Sequence, residues 1–291
     1  MKILKSIIVA LIVTSIGLGV MITAGVDGPQ VWGIPLMLVC GLLAFGVNWL
    51  AFIPSAIAQT EKYYDLLGSI TYLVTILAAC MLSGDLHERA LIVAAMVIVW
   101  TLRLGSFLFA RISADGEDKR FKDIKGNPPR FFVTWTLQGA WVTLTAAAAF
   151  FIITSETSMP LGVAFYIGAV MWVIGFALEV IADNQKKAFK KDPENAGKFI
   201  QSGLWSWSRH PNYFGEFFLW TGIFVISIPL LSGSQWIITI SPLFVYFLLT
   251  KVSGIPLLEK AGKKRWGDDP AYQAYFARTS RFFPLPPSKT E

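Results

Sequence analysis

Polar residues stand at the start of a hydrophobic segment near residue 210, where charged groups are costly unless something uses them. In "SRHPNYFGEFFLW", Arg209 and His210 precede Pro211, which suits the first position of a helix because its missing N–H needs no acceptor there. The free amides of that helix end favour an anion. Asn212 and Glu216 are four residues apart and therefore share one helix face. The pattern predicts a polar-ligand site, and an interfacial Arg–His anchor is the structural alternative.

A second polar face lies upstream, in "FALEVIADNQKKAFKK". Glu179, Asp183 and Lys187 repeat every four residues, with Lys186 and Lys190 beside them. Carboxylates in the last turns of a span are costly without partners, whereas lysines there are favoured by the helix dipole and lipid charge alone. Together the two segments offer carboxylates and an amide for hydroxyl groups, and cations for phosphates. A ribose–pyrophosphate nucleotide meets that description.

A third cluster opens another hydrophobic segment, in "AQTEKYYDLLGSITY". Glu61, Tyr64 and Asp65 are three and four residues apart, so they share one helical stripe. A carboxyl group beside a tyrosine in an apolar cavity can stay protonated and can then donate a hydrogen bond to a substrate carbonyl. An interfacial belt of aromatic and snorkelling side chains, with Lys62 among them, is the structural alternative.

Hydrophobic helices must position these residues. The 291-residue chain is 54% hydrophobic and only 15% charged, against about 25% charged residues in ordinary soluble domains. A helical span needs about 20 apolar residues. The candidate segments are 3–25, 32–57, 64–83, 90–111, 131–154, 161–183, 213–231 and 236–253. The sequence therefore predicts an all-α polytopic membrane protein: a single membrane domain over 1–291, built as a bundle of seven to eight transmembrane helices.

The short basic start of the first segment, 3–25, also suits a signal peptide, but its apolar stretch is long for one, so the sequence favours a retained first helix. With alternating helices and a cytoplasmic N-terminus, all but two of the 25 basic residues fall on the cytoplasmic side. The exceptions are Arg89, which falls outside, and Arg103, which lies within a span. This distribution predicts that both termini are cytoplasmic. It also explains the net charge of +6 by a basic belt beside anionic lipid, without nucleic acid.

Other functional classes have little support in the residues. Cys40 and Cys80 both fall within predicted spans, and two histidines without a Cys/His cluster argue against a structural zinc site, so no metal site is predicted. The chain contains neither a P-loop motif nor G-x-G-x-x-G, so a nucleotide here would not be bound by a Rossmann domain. The spans contain no convincing small-xxx-small pattern, so the sequence does not indicate which oligomeric state the protein adopts.

Three stretches together carry a family resemblance: "GLWSWSRHPNYFGEFFLWTG", "ALEVIADNQKKAFKKDP" and "GDDPAYQAYFARTSRFFP". Over residues 59–287 the chain resembles the membrane steroid 5α-reductase family and its bacterial relatives. The resemblance implies an NADPH-dependent oxidoreductase that reduces the Δ4 double bond of a 3-oxo-Δ4-steroid or a similar enone lipid. It also favours a bacterial inner membrane, with the cofactor site facing the cytoplasm.

The same resemblance assigns roles to residues of this chain. Glu61 matches the acid that polarises the 3-oxo group, with Tyr64 and Asp65 as further catalytic candidates. The cofactor-binding assignments are Glu179, Asp183, Lys190, Lys198, Arg209, His210, Asn212, Tyr213, Glu216, Trp220 and Lys251. Lys251 stands where the animal enzymes tend to have arginine, which keeps the charge but loses the bidentate fork.

Two other classes remain open at this stage. Isoprenylcysteine-type membrane methyltransferases, which use S-adenosylmethionine, have a similar R-H-P-x-Y stretch. A methyltransferase function would explain neither the presence of Glu61 nor the many lysines that are suited to binding phosphate groups. A transporter would explain polar residues in spans, but the sequence lacks paired broken helices and repeats.

Overall fold

The fold is that of a computed structural model, whose description covers residues 2–115 and 121–287. Nearly all regular structure in these residues is helical. The α-helices are α1 (Lys2–Gly25), α2 (Leu36–Ile57), α3 (Tyr64–Leu82), α4 (Glu88–Asp115), α5 (Pro128–Thr145), α6 (Ala147–Thr154), α7 (Val163–Lys191), α8 (Pro211–Ser227), α9 (Ile240–Phe247), α10 (Gly254–Trp266) and α11 (Pro270–Arg278). Two short strands, β1 (Gln30–Val31) and β2 (Ile34–Pro35), form an antiparallel hairpin before α2.

Short 3₁₀ and π turns connect several of these helices. The 3₁₀ segments are Pro193–Asn195, Gly203–Ser206, Ile228–Leu230 and Gly233–Thr239, and Leu248–Val252 is a π-helical turn. Within the described ranges, seven helical segments are long and apolar enough to cross a membrane, or eight if α5 and α6 form one broken span. The predicted all-α polytopic membrane fold with seven to eight spans is confirmed.

The predicted fifth segment, 131–154, is not one straight helix. It begins earlier, at Pro128, where the Asn127 side chain caps the helix by accepting from the Arg130 amide at 3.3 Å. It then bends by 52° between α5 and α6. At the break the Ser241 hydroxyl donates to the Thr145 carbonyl at 2.6 Å, so a side chain satisfies this carbonyl where the helical ladder is interrupted.

Two other segment boundaries also differ from prediction. The sixth hydrophobic segment, 161–183, is the apolar part of a longer helix: α7 begins at Val163 and continues to Lys191, so Lys187 and Lys190 lie on it as the predicted polar face requires. The last segment, 236–253, is divided among a 3₁₀ segment, α9 and the π turn. Hydropathy does not distinguish these helix types, because all of them bury the same apolar side chains.

The chain forms two compact units. Unit 1 comprises Met1–Gly162 and Ser227–Ser241, and unit 2 comprises Val163–Ile226 and Pro242–Glu291. In unit 1, α2 packs against α1, α3 and α5, while α4 packs against α3 and α6. Phe45 of α2 is fully buried against two glycines, Gly17 of α1 and Gly139 of α5. The prediction of one membrane domain over 1–291 stays a prediction.

In unit 2, α7 and α8 cross at two pairs of glycines, Gly168 with Gly222 and Gly175 with Gly215. A Cβ atom added to Gly175 would lie 2.6 Å from the Gly215 carbonyl oxygen, which no real side chain tolerates. The glycines on each helix are seven residues apart, about two helical turns, so both contacts lie on one face. The two helix backbones therefore touch directly, which is how helices in membranes associate closely.

Replacing Gly175 with alanine should destabilise unit 2 by about 1–3 kcal/mol, because the new methyl group overlaps the backbone of α8. The measurement is the midpoint of thermal unfolding in detergent. Gly46→Ala is the matched control: it also lies inside a helix, but its added Cβ meets nothing within 4 Å. Equal melting temperatures for both variants would contradict the close crossing.

The predicted membrane orientation can be tested separately. Lys122 and Lys263 are both exposed, and the basic-residue distribution assigns both to the cytoplasmic side. We expect an impermeant amine reagent to label both lysines in inverted vesicles and neither in intact cells. Labelling of Lys122 from outside would contradict the eight-span topology.

Candidate functional site in unit 2

The start of α8 is held by the C-terminal segment of the chain. Pro211 is the first helical residue, as predicted, and the His210 carbonyl accepts from the Phe214 amide at 3.1 Å. Just before it, the Ser208 hydroxyl donates to the Phe282 carbonyl at 2.9 Å. The Arg209 amide donates to the Ser280 carbonyl at 2.8 Å. The R-H-P segment and the distant "TSRFF" stretch therefore form one local structure.

A cluster of charges surrounds Glu259 of α10. One carboxylate oxygen lies 3.3 Å from Arg209 Nη2 and 3.6 Å from His210 Nε2, and the other lies 3.3 Å from Arg281 Nε. The Arg209 guanidinium also lies over the Phe276 ring, 3.4 Å from its centroid. The Arg209 side chain thus links the start of α8 to α10 and α11.

Burial determines the protonation of these two residues. Burial lowers the pKa of His210, and the neighbouring Glu259 only partly opposes this, so the imidazole is neutral near pH 7. Burial also lowers the pKa of Arg209, with Glu259 acting in the opposite direction. A guanidinium remains charged in proteins. The R-H pair therefore brings one positive charge to the site rather than two.

Buried carboxylates line the crossing of α7 and α8. Glu179, Asp183 and Glu216 are 3%, 6% and 7% exposed, which is rare for acidic residues without a function or partner. The Asp183 Oδ1 accepts from Asn212 Nδ2 at 3.0 Å. Gly215 makes this arrangement fit, because a Cβ there would lie 2.7 Å from the Glu179 nitrogen. The structure therefore brings together the two polar helix faces that were predicted separately.

Asn212 is the partly exposed member of this group. Its amide nitrogen is oriented by Asp183, and its Oδ1 accepts no hydrogen bond within the described part of the chain. Trp220, two turns further along α8, is fully buried. Asn212 thus offers a ligand an oriented carbonyl oxygen at the accessible end of the helix.

Cations surround the end of α7. Lys186 lies over the Trp205 ring, 4.5 Å from its centroid, and the indole nitrogen of Trp205 donates to the Ala182 carbonyl at 3.0 Å. Four exposed lysines form no ion pair with any residue that the structure describes. These are Lys187, Lys190, Lys198 and Lys251. They are available for anionic groups from solvent.

Tyr213 and Lys251 belong to the same unit. The Tyr213 ring stacks on His210, with centroids 5.9 Å apart and planes at 10°, and it packs against Gly254. Lys251 lies in the π turn Leu248–Val252. Single π turns are frequent at functional sites, because they redirect one side chain without ending the helix.

The third predicted cluster lies in unit 1. Glu61 is 5% exposed, and its Oε2 lies 3.0 Å from Lys125 Nζ. Glu61 precedes α3, which begins at Tyr64, so the predicted single helical stripe of Glu61, Tyr64 and Asp65 is wrong. The Tyr64 hydroxyl donates to the Thr134 carbonyl at 2.9 Å, while Asp65 is half-buried in the first turn of α3. The neutral, hydrogen-bond-donating state expected for Glu61 stays a prediction.

Sequence reasoning missed three residues: Lys125, Glu259 and Arg281. Lys125 contacts Glu61, and Glu259 contacts Arg209 and His210, each from a distant part of the chain. Arg281 pairs with Glu259. Glu259 had one available signal, since a carboxylate within a basic helix is favourable when arginines face it. Lys125 and Arg281 had none, because both lie in segments rich in other basic residues.

Comparison with known proteins gives few matches. A curated protein of Schizosaccharomyces pombe, described as uncharacterized, is 24% identical over 227 residues, which cover 68% of this chain and 64% of that protein. A probable O-methyltransferase of Ustilaginoidea virens is 41% identical over only 46 residues, 16% of each chain. The chain thus spans less than two thirds of the length of either relative. No solved structure matches it.

One family model matches most of the chain. It covers residues 51–279, which include all three polar clusters, and its description is that of a protein of unknown function. The chain therefore belongs to the family DUF1295.

Proposed function

We propose that the chain is an NADPH-dependent membrane reductase that saturates the carbon–carbon double bond of an enone lipid, with 3-oxo-Δ4-steroids as the model substrate. The observation that carries the nucleotide part is the Asp183–Asn212 pair at 3.0 Å, among the buried carboxylates Glu179 and Glu216. Carboxylates accept hydrogen bonds from ribose hydroxyls, and the Asn212 carbonyl oxygen can accept from a carboxamide.

The charges of unit 2 fit the phosphates of NADPH. The lysines at the end of α7 and in the π turn present flexible ammonium groups without intramolecular ion pairs in the described ranges. Lys190, Lys198 and Lys251 would hold the phosphates, while Asp183, Asn212 and Glu216 would hold the ribose and nicotinamide. NADPH, when bound, supplies a hydride to the substrate. The protein orients the cofactor and excludes water from it.

Lipid-facing helices fit an apolar substrate. Such a substrate reaches membrane helices from the bilayer, whereas the charged nucleotide enters from water, where the exposed lysines lie. Reduction of an enone also needs a group that stabilises the developing negative charge on the carbonyl oxygen. Glu61 is our candidate for that group on the sequence resemblance.

A methyltransferase is the second candidate function. The 46-residue match to a probable O-methyltransferase supports it, and buried carboxylates also suit the positive sulfonium of S-adenosylmethionine. The exposed lysines argue for the reductase, because S-adenosylmethionine carries no phosphate.

Ligand titration separates the two functions. Purified full-length protein is titrated with NADPH, NADH and S-adenosylmethionine while its thermal unfolding is followed, since a ligand of the folded state raises the melting temperature. We expect stabilisation by NADPH, a weaker effect of NADH because it lacks the 2′-phosphate, and none by S-adenosylmethionine. Stabilisation by S-adenosylmethionine alone would contradict the reductase function and favour the methyltransferase function.

A further inference from the structure

A separate basic cavity lies in unit 1, between the beginnings of α1 and α5. It has a volume of about 290 Å³, and its lining includes Lys5 and Ser6 of α1 together with Arg130 and Val133 of α5. None of these residues belongs to the proposed nucleotide site. The volume is just below the usual range of small-molecule sites, about 300–1,000 Å³, so the cavity suits a compact group rather than a dinucleotide.

Two cationic side chains, Lys5 and Arg130, line this cavity. Neither Lys5 nor Arg130 forms an ion pair with a residue in the described ranges. Arg130 makes one long hydrogen bond, from Nη1 to the Asp123 carbonyl at 3.5 Å, which leaves most of its donors for another acceptor. Like charges repel, so an anion that contacts both would stabilise the cavity.

The surroundings are those of a membrane surface. Val9 and Val133 form apolar walls of the cavity. The adjoining part of α1 exposes large aliphatic side chains, namely Ile3, Leu4, Ile7, Ile8, Leu11 and Ile12. Both helices begin at this end, and the basic-residue distribution predicts that it is cytoplasmic, where anionic lipids are concentrated. A ligand here meets cations at one end and hydrocarbon at the other.

We propose that this cavity binds the phosphate-bearing headgroup of an anionic membrane lipid. Lys5 and Arg130 contact the phosphate, the Ser6 hydroxyl donates to a headgroup oxygen, and the acyl chains lie along the exposed aliphatic side chains of α1. Arg130 contributes the planar fork that matches phosphate oxygens, and Lys5 contributes a mobile point charge. The site does not depend on the proposed reductase reaction.

The test is lipid retention by the full-length protein in native mass spectrometry. Delipidated protein is titrated with phosphatidylglycerol and, separately, with phosphatidylcholine. We expect phosphatidylglycerol to bind at least about tenfold more tightly, because both lipids carry the phosphate but the quaternary ammonium of phosphatidylcholine is repelled by Lys5 and Arg130. The Lys5→Gln/Arg130→Gln variant should lose that preference. The matched control Lys62→Gln/Lys122→Gln, which removes two exposed charges outside the cavity, should keep it.

A cavity-filling variant and a soluble competitor provide two further tests. Val133→Phe retains both cations but fills the cavity, so it should also lose phosphatidylglycerol, and this holds even if the double charge variant folds poorly. Soluble glycerol 3-phosphate should compete weakly, because it lacks the acyl chains. Equal retention in Val133→Phe, or equal affinity for glycerol 3-phosphate and phosphatidylglycerol, would overturn the lipid-headgroup site.

Discussion

Replacing Asp183 or Asn212 with alanine is expected to raise the dissociation constant for NADPH about five- to hundredfold, with substrate binding nearly unchanged. Losing one hydrogen bond to a buried polar group typically costs about 1–3 kcal/mol. Asp183 accepts from Asn212 at 3.0 Å, so removing either side chain breaks this hydrogen bond. The measurement is NADPH titration of detergent-purified protein, with the melting temperature recorded for each variant.

The pair also predicts non-additivity. Because the two side chains act as one unit, the effects of the two substitutions should not add. The Asp183→Ala/Asn212→Ala variant should bind NADPH with nearly the same affinity as whichever single variant binds it less tightly. Glu194→Ala is the matched control, since Glu194 is an exposed carboxylate of the same unit, and it should leave the affinity unchanged. Unaltered NADPH affinity in both single variants, together with weakened S-adenosylmethionine binding, would favour the methyltransferase.

Glu61→Gln is expected to lower kcat by about two to three powers of ten, the usual loss when a donor to a developing oxyanion is removed. Glutamine keeps the shape and can still donate a weak hydrogen bond, but it is a far poorer acid. NADPH affinity should change much less. The measurement is turnover of a testosterone-like enone per folded molecule. Glu61→Ala should be worse, because it also leaves a gap.

The ion pair of Glu61 with Lys125 provides the control for this prediction. If Glu61 acts as a hydrogen-bond donor to the substrate, Lys125→Met should retain turnover, because it removes the ammonium 3.0 Å from Oε2 and leaves the carboxyl group in place. If the pair is only structural, both Glu61→Gln and Lys125→Met should lower the melting temperature and leave turnover unchanged. The second result would remove Glu61 from the mechanism and make Asp65 the next candidate.

The number and type of spans could be predicted from the sequence, because hydropathy is a local sum over about 20 residues. The start of α8 was equally local, since Pro211 suits only the first turn of a helix. The shared faces of Glu179 with Asp183, and of Asn212 with Glu216, followed from the helical repeat. These features could be predicted because they depend only on residues that are close together along the chain.

Only the folded structure shows which residues contact those helix faces. Asp183 and Asn212 are 29 residues apart and Glu61 and Lys125 are 64 apart, and no local pattern specifies such partners. At the bend, the Thr145 carbonyl accepts from the hydroxyl of Ser241, which is 96 residues away along the chain. The glycine crossing of α7 and α8 does not follow the four-residue spacing of small-xxx-small motifs, because its contacts repeat every seven residues. Hydrophobic segments form helices from their own composition, but the protonation, orientation and availability of each polar side chain depend on groups that only folding brings within about 4 Å.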